Sequence, residues 1–128
     1  MATWQGRLRD ARNFLDVAET ASDPQHANQA ASNAILAAIA ANDAICIFLG
    51  KPQPGGQSHT EAARILREAC KGTRWEDEAA PKVRQLLAII SHKNAAQYTG
   101  RLLSQETADR IIQQAERFLE WAEQIVRG

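Results

Sequence analysis

The sequence predicts an all-α protein: an antiparallel up-and-down bundle of four long helices plus one short helix. Three observations carry this reading. Apolar residues recur at spacings of three and four, and no segment alternates with a period of two. Alanine is used heavily and β-branched residues sparingly, which lowers the cost of helix at most positions. Ser, Asp, Pro and Gly stand where helical patterns begin and end. The 128 residues are read as one domain spanning 1–128, long enough to bury a core without staples.

The first helix is expected from Thr3 to about Ala21, with Trp4, Leu8, Ala11, Leu15 and Ala18 as its inner stripe and Arg7, Arg9, Arg12, Asp16 and Glu19 outside. Asp23-Pro24 then supplies an N-cap and a first-turn proline. The second helix runs to Leu49 and stops at Gly50. From Ala30 onward it is apolar on nearly every side, so it is expected to be the central element, surrounded by partners. Residues 50–57, rich in Gly and Pro, form the clearest loop. The third helix opens at Ser58, which makes a capping box with Glu61, and ends at Lys71-Gly72. Thr73 to Ala80 is expected to be an acidic connection, with Trp75 as a lid over the core edge. A fourth helix then begins near Pro81 and runs to about Tyr98, with Ser91-His92 as a point where it could loosen. The last helix is capped by Ser104 and carries the longest unbroken amphipathic pattern, from Ala108 to Ile125.

Composition excludes several function classes. Lys+Arg and Asp+Glu both number 15, so the chain lacks the global positive field that drives nonspecific nucleic-acid binding. The N-terminal residues contain no apolar h-region, and the apolar stretch from Ala34 to Leu49 is interrupted by Asn42 and Asp43. A soluble, cytoplasmic protein without membrane contact is expected. Cys46 and Cys70 read as reduced core thiols. No phosphate loop, HExxH, paired CxxC or GxSxG is present, and the histidines and cysteines lack metal-ligand spacing. No metal and no cofactor are expected.

Polarity at core positions marks the candidate site. Asn42 interrupts the stripe Ala31, Ile35, Ala38, Ile45, Leu49, and Asp43 lies on the row beside it. On the fourth helix the stripe Val83, Leu87, Ile90 continues to Asn94 and Tyr98, with Lys93 alongside. A buried Asp43 requires a donor, for which Lys93, Tyr98 and His59 are the candidates. This set fixes helix register, lines a cleft between the second and fourth helices, or is simply solvated. The cluster Arg7, Arg9, Arg12 is interleaved with Asp10 and Asp16 and reads as a salt-bridged face.

The order of these landmarks resembles that of HEPN domains. The small-residue helix Asn33 to Ile45, with its Asn42-Asp43 pair, precedes a Gly-rich loop and His59. Next comes Lys93-Asn94-Ala95-Ala96-Gln97-Tyr98, a basic-x-x-Ala-x-Tyr pattern, and then a capped helix leading to Ala115-Glu116-Arg117-Phe118-Leu119. The likeness covers roughly residues 10 to 126. It implies a HEPN-like bundle and a homodimer. It further implies that the chain binds RNA, a nucleotide or a protein partner such as a nucleotidyltransferase antitoxin, with Asn42, Asp43, His59, Lys93 and Tyr98 as binding residues. The alternative it implies is a metal-independent ribonuclease, the toxin of a toxin–antitoxin pair. Active members resemble one another in an Arg-x4–6-His motif. Here Arg84 and His92 are the weak catalytic candidates; seven residues separate them, and Lys93 stands where many members carry Arg. The departure favours a module that binds without catalysis.

Overall fold

The computed structural model describes residues 2–21, 23–54, 58–97 and 100–128. Its elements are α1 (Trp4–Thr20), a 3-10 turn (Pro24–His26), α2 (Ala27–Phe48), α3 (His59–Cys70), α4 (Glu76–Ile90), α5 (Lys93–Gln97) and α6 (Gln105–Arg127). Among the described residues there is no strand.

The helix ends follow the local chemistry of the sequence. The hydroxyls of Thr3, Ser58 and Ser104 accept hydrogen bonds from the backbone N–H groups of Gly6, Glu61 and Thr107, which opens α1, α3 and α6. Each such cap contributes about 1 kcal/mol by satisfying a donor that the helix cannot. At the end of α2, the Lys51 N–H donates to the Cys46 carbonyl and the Gly50 N–H to that of Ile47. This closing motif needs a left-handed residue, and Gly50 supplies it with φ 86°.

α1, α2, α4 and α6 run alternately up and down, while α3 packs chiefly on α4 and α5 packs on α2. Side chains fix these directions: Trp4 stacks edge-to-face on Phe48, Glu78 of α4 accepts a hydrogen bond from Trp121 of α6, and Asn28 bonds Leu103 just before α6. The central element is α2, which packs on each of the other five helices. Its alanines at 30, 31, 34, 37, 38, 40, 41 and 44 are fully buried and let α1 and α6 come close. Leu15, Ile35, Ile45, Leu66, Leu86, Phe118 and Leu119 fill the larger spaces. The segment Pro24–Phe48 is long and apolar enough by length and composition to cross a membrane, although Asn42 and Asp43 interrupt it. Most of that segment is buried against the other helices, as a core helix would be.

One expectation changes, and one point that the sequence leaves open is decided. Helix α4 begins at Glu76 rather than near Pro81, so much of the expected connection is helical. Glu76, Asp77 and Glu78 form its first turn, where carboxylates favour the positive end of the helix dipole. That gain, together with Ala79 buried beneath, outweighs the one backbone bond Pro81 forgoes inside the helix. Trp75 precedes this turn as a buried lid, with Arg74 stacked on its ring. At Ser91-His92, where the sequence leaves the continuity of the helix open, the helix breaks. The Ser91 hydroxyl bonds the Ala88 carbonyl, diverting the backbone, and α5 restarts at Lys93.

Candidate functional site: a buried carboxylate between the first two helices

Asp43 lies one to two turns before the end of α2, and its side chain has no solvent exposure. Because α1 and α2 are antiparallel, the first turns of α1 face this position. Arg7 reaches across and donates from Nε (3.1 Å) and from one terminal nitrogen (3.0 Å) to Asp43 Oδ2. Its other terminal nitrogen donates to Asp10 Oδ2 at 2.9 Å. From the loop after α2, Gln53 Nε2 donates to the same Asp43 oxygen at 3.2 Å. Side-chain exposure rises from 0% at Asp43 through 21% at Arg7 to 42% at Asp10, so the network runs from core to surface.

The arrangement is what an ionised carboxylate demands in such a place. Removing it from water is costly, and a planar guanidinium with several N–H groups offsets that cost more effectively than an ammonium. The same geometry limits what Arg7 can do. Its charge sits between two carboxylates, so it is poorly placed to receive a phosphate.

Asn42, on the neighbouring row, is also buried; its Oδ1 accepts the Cys46 thiol at 3.7 Å. Burial pushes the Cys46 thiol pKa up, with the charge of Asp43 and then Cys70 adding to it. The Cys70 thiol is pushed up to about 11, again mainly by burial and then by Glu78. Both cysteines are free and buried, so they act as core residues rather than nucleophiles.

His59, Arg84, His92 and Lys93 are all more exposed than Asn42 and Asp43. His59 is exposed on the first turn of α3. Lys93 is half-buried at the start of α5, which packs on α2. Tyr98 falls outside the described residues. Asn94 is exposed, because the helix break removes it from the α4 stripe. Arg84 is exposed on α4, and His92 is half-buried in the turn after that helix ends at Ile90. Among the described residues, no three His, Cys, Asp or Glu side chains converge into a group that could hold a metal.

Arg7 is the residue that the sequence reading does not select as the donor for Asp43. The signal lies in the pairing of α1 with α2: antiparallel neighbours set position 43 opposite the first turns of the chain. Counting Arg7 with the surface cluster conceals it. In the structure that cluster divides, with Arg7 turned inward and Arg12 paired to Glu123 of α6 at 2.7 Å.

The HEPN domain family matches this chain over residues 4–125. The chain belongs to the HEPN family. No curated protein matches it. As a HEPN domain it lacks a regular Arg-x4–6-His motif, and α4 ends before His92, so Arg84 and His92 do not share one helix. Other arginines of this HEPN chain are likewise engaged by acidic partners: Arg64 by Glu61 and Glu68, and Arg110 by Glu106.

Proposed function

We propose that this HEPN protein is a cytoplasmic, homodimeric module that binds its target without catalysis. The targets that fit are an RNA or nucleotide, or a protein partner such as a nucleotidyltransferase antitoxin. The observation that carries the reading is that Arg84 and His92 are separated by seven residues and α4 ends between them, so the cation and the acid–base group of a phosphate-cleaving pair are not held on one helix. Asn42 and Asp43 are too deeply buried to touch a ligand and act as positioning residues. His59 and Lys93, which are more accessible, make the contacts, and Tyr98 completes the set of binding residues.

A second reading, a ribonuclease or toxin using His92 with Arg84 or Lys93, has one observation in its favour. The break in the helix leaves His92 and Lys93 adjacent in and after a turn rather than along one rigid helix. Electrophoretic shift of a mixed RNA pool in EDTA tests the two together. Retention of intact RNA that weakens in Lys93→Glu supports binding without catalysis. Shortened RNA products that disappear in His92→Ala support the second reading. Neither retention nor cleavage removes RNA as the target and leaves the protein partner.

A further inference from the structure

A cavity of about 220 Å³ opens between α4 and α6 and shares no residue with the Asp43 network. The buried Trp121 lies beneath it, and its walls carry Glu78 and Lys82 from α4 and Arg117 and Glu120 from α6. Glu78 and Lys82 stand four residues apart, on one face of α4. The Trp121 Nε1–H donates to Glu78 Oε1 at 3.2 Å, and Lys82 Nζ lies 5.9 Å from the centre of the Trp121 ring. Lys82 Nζ also donates to Gln85 Oε1 at 3.5 Å. Among the described residues, neither Lys82 nor Arg117 forms an ion pair. The lysines of the chain are Lys51, Lys71, Lys82 and Lys93; Lys51 and Lys71 are exposed, whereas Lys82 is half-buried in this cavity. Burial pushes the Lys82 pKa down, Glu78 and Glu120 pull against that shift, and Arg117 adds to it.

We propose that Lys82 is a site of acylation and that this cavity takes a small activated acyl donor bearing phosphate, either an acyl phosphate or the thioester of a phosphate-bearing carrier. A lysine attacks as the neutral amine, and an ammonium that is partly out of water and has no ion-pair partner releases its proton more readily. The Nζ lone pair adds to the acyl carbon, and the bond from that carbon to the phosphate oxygen, or to sulfur, breaks. Phosphate or thiolate leaves with the bonding pair, and the extra proton on nitrogen passes to Glu78 or to water. Arg117, exposed at the rim and unpaired among the described residues, is the cation placed to hold the donor's phosphate. The amide formed carries no charge, so the cation over Trp121 is lost and the outer face of α4 and α6 becomes more acidic.

Peptide mass spectrometry of the folded full chain, after incubation with acetyl phosphate or with acetyl-coenzyme A at pH 8, tests this. With at least one donor, Lys82 should be acetylated at least about threefold faster than Lys51 and Lys71. The donor that gives the preference identifies the source of the acyl group. In concentrated urea the preference should vanish, and in the folded chain the rate at Lys82 should level off at a lower pH than at Lys51 and Lys71. Arg117→Gln, a change at an exposed position, should slow Lys82 by about fivefold with the phosphate-bearing donor and by less with uncharged N-acetoxysuccinimide. Lys82 acetylated no faster than Lys51 and Lys71 with both donors overturns the proposal, as does a preference that persists in urea, which would come from local sequence and not from the cavity. Equal slowing of all donors in Arg117→Gln overturns the phosphate-holding role of Arg117.

Discussion

Replacing Arg7 by alanine removes two N–H donors from Asp43 Oδ2 and the positive charge beside a carboxylate that has no solvent exposure. Leaving a buried charge without its partner costs about 3–5 kcal/mol. Two features of this site lower that figure. Gln53 still donates to the same oxygen, and Arg7 is itself 21% exposed, so water can enter the space it vacates. The expected loss is therefore about 2–3 kcal/mol, or a fall in Tm of about 8–12 °C for a chain of this size. Asp43→Asn should cost less, about 1–2 kcal/mol, because the shape is kept and Arg7 retains Asp10. Replacing both residues, Arg7→Met with Asp43→Leu, should recover much of the loss, since neither charge then has to be buried. Urea unfolding followed by far-UV circular dichroism gives all three values, and their non-additivity measures the coupling. A cost below about 0.5 kcal/mol for Arg7→Ala would place the pair with ordinary surface ion pairs and refute the reasoning.

Other expectations follow from the same packing. Ala38→Leu inserts three carbons into the seam where α2 meets its neighbours and should destabilise by about 2–3 kcal/mol; a neutral result in urea unfolding would show slack in that seam. Cys46 and Cys70 should resist a thiol reagent at pH 8 in the folded protein and react once it is unfolded. Because burial raises both thiol pKa values, the unfolded chain loses these protons first as pH climbs above about 8.5. Stability should be unaffected by the thiols below that pH and fall from there towards pH 11. The fall in urea midpoint between pH 7 and pH 10 should shrink in Cys46→Ala/Cys70→Ala, and an identical fall in both proteins would contradict the assignment.

Much of the bundle is legible in the sequence because helices announce themselves locally. Ser58 and Ser104 cap where their spacing says they should, Gly50 ends α2, and the all-round apolar pattern of α2 marks it as the centre. The beginning of α4 is not legible in this way. Pro81 and a run of acids look like a connection until the buried Trp75 and Ala79 tip the segment into helix. The buried pair Asn42-Asp43 stands out because polar residues on an apolar stripe are costly. Its partner does not, because Arg7 carries the same surface pattern as Arg9 and Arg12, and only the antiparallel register of α1 and α2 turns it inward. Tertiary arrangement, not local pattern, decides which of several similar arginines supports the core.

The central claim is that this HEPN domain binds without cutting. The most direct test is incubation of a mixed RNA pool in EDTA with wild type and His92→Ala, purified identically. The account predicts that neither protein shortens the RNA. Cleavage by the wild type that is lost in His92→Ala would contradict it and assign His92 to an active site.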